Sequence, residues 1–567
     1  MEHSSYQVYG RPRSWFRRHA GSERVVFRGF SWGGCVLAAV FYCLSLTPSL
    51  LPRAWWLQGL AAGVTAVVGY AVGAILDAVT RRIAGRAGLY PPRTRHGWVK
   101  WAVAAVAVAA VVVLTARSVR WQGDVRRAVS MPPQVVWWQW ALVPLVSAVL
   151  ALLVLGVARV LRLATRVVTN LAGGHVPRPV AYAVGVVLVA LIAIGFAQGV
   201  LVGRALRVIE SAASLTDQGT TEGIVRPELA TLSGSPPSQA PWDSLGAKGR
   251  DFVGEATRRE DIASFTHAPA KDPVRVYVGL RSADTLQKRA DLAVRELERT
   301  GGFSRKVLAV MGTTGTGWIN EQGSKPLEYM WGGDSALVAM QYSYLPSGVS
   351  VLTEDEAADA GSALFDAVRR KWLTLPKGDR PQLLVYGESL GSYAMEHALG
   401  GSPDALTSKV DGALFVGPTY SNPLWNRVTD GRRTGSPQWR PVYDNGANVR
   451  FAQVPRDYTI PDAPWRQPRS VYLQNGSDPV VWWSPGLAVN KPDWMLTPRA
   501  GDVSPAMRWY PLLTFWQVAC DMAGAADVPD GYGHRYGAMP TSAWAEITRP
   551  PGWTEADSER LARRLTS

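Results

Sequence analysis

The feature that most constrains this chain is the stretch from Pro381 to Ser392, PQLLVYGESLGS. An apolar run, Leu383 to Tyr386, ends in Gly387-Glu388-Ser389-Leu390-Gly391, and a helix-compatible segment from Tyr393 to Leu399 follows. G-x-S-x-G between a strand and a helix reads as a nucleophile elbow. The turn is so sharp that the serine takes strained backbone angles, and only glycine tolerates the approach of strand and helix on either side. Ser389 Oγ then stands exposed at a helix N-terminus, where free N–H groups and the helix dipole favour developing negative charge. The plain alternative is a glycine-rich turn with a surface serine. The strand before and the helix after favour the elbow.

The chain around the elbow alternates. Val274 to Gly279 reads as a strand, and Leu286 to Arg299 as a helix with apolar positions at Leu286, Ala290, Ala293, Val294 and Leu297. Lys306 to Met311 and Ala336 to Tyr342 read as strands, Glu354 to Trp372 as a helix, and Ala413 to Val416 and Ser470 to Leu473 as later strands. Alternating strands and helices predict a mostly parallel sheet covered on both faces, with the site at the C-terminal ends of its strands. The segment 418–469 is long, irregular and rich in Pro, Trp and Asn, and reads as a cap insertion. Trp425, Trp439 and Trp465 within it line an acyl pocket, face a bilayer or fill the core.

A serine nucleophile needs a histidine to take its proton and a carboxylate to orient that histidine. Behind a G-x-S-x-G elbow the acid and then the histidine follow in chain order. Only His397 and His534 follow Ser389. His397 lies in the helix leaving the elbow and is too rigidly placed to reach back, which leaves His534, in the glycine-rich Asp530-Gly531-Tyr532-Gly533-His534. For the acid, Asp478 stands where a strand ends and a turn presents it, in Leu473-Gln474-Asn475-Gly476-Ser477-Asp478-Pro479. Asp444, Asp502 and Asp521 are the competitors, and Glu388 is expected to point away from the nucleophile. The oxyanion requires two preorganised N–H donors. One is the amide of Leu390. The other is expected from the loop Met311-Gly312-Thr313-Thr314-Gly315-Thr316-Gly317-Trp318, from Thr313 or Thr314. That loop lacks the G-K-[ST] ending of a nucleotide-binding loop.

The N-terminal part is different in kind. Residues 1–210 hold 23 Lys+Arg and 5 Asp+Glu, while residues 211–567 hold 37 and 40. The net charge of +15 therefore belongs to the region where arginines flank apolar runs, which speaks for a membrane and against nucleic acid. The runs 29–52, 54–76, 101–116, 128–158 and 179–203 are free of charge and predict about five spans, the third short. Segment 117–127, with four arginines, is expected to lie as a helix in the interface. Asp77 borders an apolar run and reads as a solvated helix end ahead of a coupling site. Segments 1–28, 77–100 and 159–178 carry 6, 6 and 4 Lys+Arg, while residue 53 and 117–127 carry 1 and 4. That bias predicts a cytoplasmic N-terminus and an extracytoplasmic C-terminal domain. Three cysteines, Cys35, Cys43 and Cys520, supply neither a disulfide framework nor a metal cluster, and no cofactor is implied.

Gly312 to Trp318, Trp331-Gly332-Gly333-Asp334, Gln341 to Ser347 and Gly387 to Ser392 together resemble a membrane-anchored α/β-hydrolase family of actinobacteria. The resemblance covers both halves and implies a serine hydrolase fold fixed to a membrane. The domains are then 1–210, a transmembrane helical region; 211–262, linker and domain edge; and 263–567, an α/β-hydrolase domain. The activity expected is that of a serine esterase or lipase acting on lipid or envelope acyl esters, with membrane lipids as neighbours. An acyltransferase with the same triad, and a non-catalytic scaffold or transport subunit, are the alternatives.

Overall fold

The computed structural model describes residues 30–87, 97–172, 216–345 and 354–566. They fall into two compact units, within the bounds Met1–Leu46, Ala54–Val119 and Val136–Leu206 for the first and Thr47–Arg53, Arg120–Val135 and Arg207–Ser567 for the second.

The N-terminal region contains helices α1 (Trp32–Ser45), α2 (Trp55–Arg86), α3 (Gly97–Ala128) and α4 (Val143–Ala172). Among the described residues three helical stretches, Trp55–Arg86, Trp98–Ala128 and Trp137–Thr165, are long and apolar enough to cross a membrane. This is fewer than the five spans expected, and the fifth run, 179–203, lies outside the described residues. The first run is corrected. Helix α1 has 14 residues, about 21 Å at about 1.5 Å per residue, and stops short of a hydrocarbon core of about 30 Å. Pro48 and Pro52 explain the stop, since each lacks an N–H and drives the preceding residue out of the helical region. The third run is longer than expected. Segment 117–127 continues α3 instead of forming a separate interfacial helix, because arginine is a good helix former.

Helices α1 and α2 pack backbone to backbone. A Cβ on Gly73 would lie 2.3 Å from Gly33 O, and one on Gly69 2.5 Å from Leu37 O, so glycine is required at both positions. Asp77 accepts from Ser31 Oγ and from Gly33 N at 3.2 Å, which ties it to the first turn of α1.

The second unit is built on a seven-stranded parallel sheet: β1 (Val274–Val278), β2 (Val307–Gly312), β3 (Ser335–Met340), β4 (Gln382–Glu388), β5 (Gly412–Val416), β6 (Val449–Ala452) and β7 (Arg469–Leu473), in the order β1-β3-β2-β4-β5-β7-β6. The strands are buried almost throughout, as expected of a parallel sheet covered on both faces. Helices α7 (Leu286–Arg299), α9 (Glu354–Thr374) and α10 (Leu390–Ala398) pack together, and α8 (Glu321–Met330), α13 (Met539–Thr548) and α14 (Glu555–Thr566) form a second group. Alternation along β4 separates them. Gly387 lies against Gly391 of α10, whereas the Tyr386 ring fills the space beside Gly323 of α8 and stacks toward Trp544 of α13.

Two stretches are more structured than their composition suggests. Segment 211–262, read as linker and domain edge, carries α5 (Gly246–Gly254) and the start of α6 (Arg259–Thr266) in its described part, and Ala240, Leu245, Phe252 and Val253 are buried in the sheet's core. Segment 418–469, read as a cap insertion, holds α11 (Pro423–Asp430) and also edge strand β6, which pairs with β7. A four-residue strand with Arg450 in it leaves little periodic signal. Trp425 is core, with Nε1 donating to Gln474 Oε1 at 2.8 Å, and Trp465 packs under Arg450 and Arg469. Arg275 of β1 is fully buried because Glu328 and Glu321 of α8 meet its guanidinium at 2.6 and 3.0 Å.

Candidate active site

Strand β4 ends at Glu388 and α10 begins at Leu390, so the reversal is made by Ser389 alone, at φ 53° and ψ −121°. A non-glycine residue held at positive φ costs about 1–3 kcal/mol and persists only where the surroundings over-determine it. Here they do. Ser389 N donates to Val416 O at 2.8 Å, and its carbonyl accepts from Ser392 Oγ at 2.6 Å, which Asn422 Nδ2 approaches at 3.0 Å. A Cβ on Gly387 would lie 2.3 Å from Gly391 O, and one on Gly391 2.3 Å from Gly312 O. Both elbow glycines are therefore required, and the second brings the end of β2 against the start of α10.

Asp478 follows β7 and caps a short helix, its Oδ1 accepting from Val480 N at 2.8 Å. Its Oδ2 meets His534 Nδ1 at 2.7 Å and accepts from Tyr536 Oη at 2.6 Å. The imidazole lies over Gly417, the first residue past β5: a Cβ there would sit 2.5 Å from His534 Cε1. Val416, one residue back, is the partner of Ser389 N. The serine and the Asp478–His534 pair thus stand at the C-terminal ends of three neighbouring strands, β4, β5 and β7, where open parallel sheets form their sites. The competing acids are engaged elsewhere: Asp502 with Ser477, Asp521 with Arg53, and Asp444 in a turn. Burial alone pushes the His534 imidazole down, but the Asp478 carboxylate against it, helped by Glu388, reverses this and leaves it above its ordinary value.

Residues 274–561 match the model of an alpha/beta-hydrolase family. The chain belongs to this family. Residues 46–256 match the model of the same family's N-terminus, so the N-terminal region is part of the family pattern too. No curated protein and no solved structure matches the chain.

In this α/β-hydrolase the loop after β2 carries both candidates for the second oxyanion donor, Thr313 and Thr314. Thr314 N donates to Trp318 O at 3.1 Å within the loop's own turn, and Thr313 Oγ1 donates to Met340 O at 3.1 Å. Thr313 is next to Gly312, which lies against Gly391 at the start of α10. Leu390 opens α10, where a backbone N–H has no carbonyl one turn back to bond. Glu388 lies on the Tyr386 face of β4, accepting from Tyr386 Oη at 2.8 Å and Asn320 Nδ2 at 2.9 Å.

Several residues that hold the site escaped sequence reasoning. Gly533, beside the histidine, is gripped at both ends: Asn475 Nδ2 donates to its carbonyl at 2.8 Å, and its N–H donates to Ser477 Oγ at 2.9 Å. Ser477 Oγ in turn donates to Asp502 Oδ2 at 2.7 Å. Asn475, Ser477 and Tyr536 lie within three residues of Asp478 or His534, so polar residues flanking a candidate acid or base in glycine-rich loops were the available signal. Asp502 offered none.

Proposed function

We propose that this chain is a serine hydrolase that cleaves acyl esters through an acyl-enzyme on Ser389. The observation that carries the reading is the imidazole of His534, held by Asp478 over Gly417 at the strand end beside the strained serine. With Nδ1 engaged by Asp478, Nε2 is the nitrogen that takes the Ser389 proton as Oγ attacks the ester carbonyl. The amides of Leu390 and Thr313 receive the oxyanion. His534 returns the proton to the leaving alcohol, then activates the water that releases the acid. Asp478 stays ionised and holds the tautomer.

A lipid or envelope acyl ester is the substrate class. Three helices long and apolar enough to cross a membrane among the described residues support this, as does the aromatic cluster of Tyr420, Trp483, Phe515 and Trp516, whose rings meet tilted or edge to face in the segments that follow β5 and β7. The hydrolase sheet and segments Thr47–Arg53 and Arg120–Val135 belong to one compact unit, which supports an active site on the side of the membrane that these two flanks of the apolar helices face.

The test is labelling of the detergent-solubilised full chain by a fluorophosphonate probe. Wild type is expected to label and Ser389→Ala is not. A folded wild type that resists probes of several sizes overturns the hydrolase reading and leaves the scaffold alternative. Mass spectrometry with a short-chain glycerol ester and an added sugar acceptor then reads hydrolysis against acyl transfer.

A further inference from the structure

The histidine loop of the hydrolase unit is built partly from residues far upstream. Asp521 is the last residue of α12 (Leu513–Asp521), a carboxylate at the negative end of a helix dipole and fully buried, which is a doubly unfavourable position. Its compensation comes from Ser49 to Arg53. Arg53 Nε reaches Asp521 Oδ1 at 2.7 Å, Leu50 N donates to Oδ2 at 3.1 Å, and Ser49 Oγ bonds the same oxygen. Arg53 Nη2 also donates to Gln517 O, one turn back, at 2.8 Å. Both charged side chains are at most 1% exposed, so this is a desolvated pair and not a surface ion pair.

From Asp521 the chain runs through one 3₁₀ turn to Ala525, whose carbonyl accepts the His534 N–H at 2.8 Å. Leu51, fully buried, lies against Gly533: its Cδ1 is 3.5 Å from where a Cβ on that glycine would stand. A second upstream segment meets the same loop. Val129 is buried in the sheet's core, and Ser130 Oγ hydrogen-bonds Tyr532 Oη at 2.6 Å. The loop Ala525 to Tyr536 is therefore held by Asn475 and Ser477 from within the hydrolase sequence, and by Leu51, Ser130 and the Arg53–Asp521 pair from outside it.

We propose that Thr47–Arg53 and Val129–Ser130 are positioning elements of the active site, so that the N-terminal region completes the hydrolase and does not merely tether it. The proposal rests on the Ser389–Asp478–His534 reading. Arg53, Leu51 and Ser130 do not touch substrate; they act through the backbone that carries His534.

Two measurements on the full chain in detergent test it, using Arg53→Met, Arg53→Lys and Leu51→Ala. Hydrogen exchange reads the loop directly and does not depend on activity. Residues 525–536 are expected to exchange at least tenfold faster in Arg53→Met and Leu51→Ala, with β4 and β5 unchanged. Fluorophosphonate labelling, followed against pH, is expected to fall at least tenfold in the same variants with a shifted midpoint, and Arg53→Lys to recover part of the loss. Leu51→Ala removes no charge and serves where Arg53→Met fails to fold. The proposal is overturned if both folded variants keep wild-type loop protection. It is also overturned if the loop loosens while labelling stays within twofold of wild type with an unmoved midpoint. If the loop loosens but wild type never labels, the hydrolase reading fails and this proposal falls with it.

Discussion

Glu396 offers a test of how the elbow helix is anchored. It lies on α10, in the turn after the one that Ser389 opens, and is buried completely. Its Oε2 accepts from Leu424 N at 2.7 Å and Trp425 N at 3.0 Å, the first turn of α11, while Oε1 accepts from Tyr472 Oη at 2.8 Å. Burial pushes this carboxyl up to about 7, against hydrogen bonds from Asn422, Trp425, Tyr472 and Leu424 that favour the ionised form. An acid whose folded value lies above its unfolded 4.5 releases its proton more easily when unfolded. Stability is then greatest below 4.5 and is lost as pH rises from there to about 7, after which the loss is complete. A displacement of that size corresponds to about 3 kcal/mol between pH 4 and pH 8, at about 1.4 kcal/mol per pH unit. Glu396→Gln removes the titration and keeps the geometry, because the amide oxygen accepts from Leu424 and Trp425 while the amide nitrogen donates to Tyr472 Oη. The stability of the variant minus that of wild type is therefore expected to rise by about 3 kcal/mol across this range, whatever its constant offset. Thermal unfolding of the full chain in detergent, followed by tryptophan fluorescence at pH 4 to 8, gives the difference. A difference independent of pH would refute the argument, because Glu396 would then titrate alike in the folded and unfolded chain.

Gly417→Ala places a methyl 2.5 Å from His534 Cε1 at a backbone φ of 53°, and is expected to cut fluorophosphonate labelling at least tenfold while the melting temperature falls only modestly. The raised His534 value means the imidazole is protonated, and unable to act as a base, up to a pH above 6.5; labelling should rise with pH through a midpoint above that value. Asp478→Asn should remove that elevation, shift the midpoint down and slow labelling by about 10³ to 10⁴, since the wrong tautomer then faces the serine. Glu328→Gln leaves Arg275 of β1 buried with one carboxylate partner fewer, and should destabilise the chain by about 3 kcal/mol, read as a lower unfolding midpoint without loss of labelling per folded molecule.

What the sequence determined by itself is local. The strand, elbow and helix around Ser389 were legible because glycine spacing and short apolar runs are near-neighbour patterns that the backbone must obey. Six of the seven strands followed from the same reasoning, and so did the split between an arginine-flanked apolar region and a charged, mixed one. His534 emerged by elimination, which needs chain order alone. Other features were decided only by tertiary structure. Strand β6 was hidden in an apparently irregular insertion because a four-residue edge strand has too little periodicity to read. Asp478 already stood out in the sequence, at a strand end with a turn that presents it, and what only the packing decided is that its carboxylate, and not that of Asp502 or Asp521, meets the imidazole. The uncharged run 29–52 was divided by its prolines into a short helix and a segment that enters the hydrolase core. Nothing near Arg53 in the chain announces Asp521, because a pairing across more than four hundred residues is made by the packing of the whole unit and leaves no local trace.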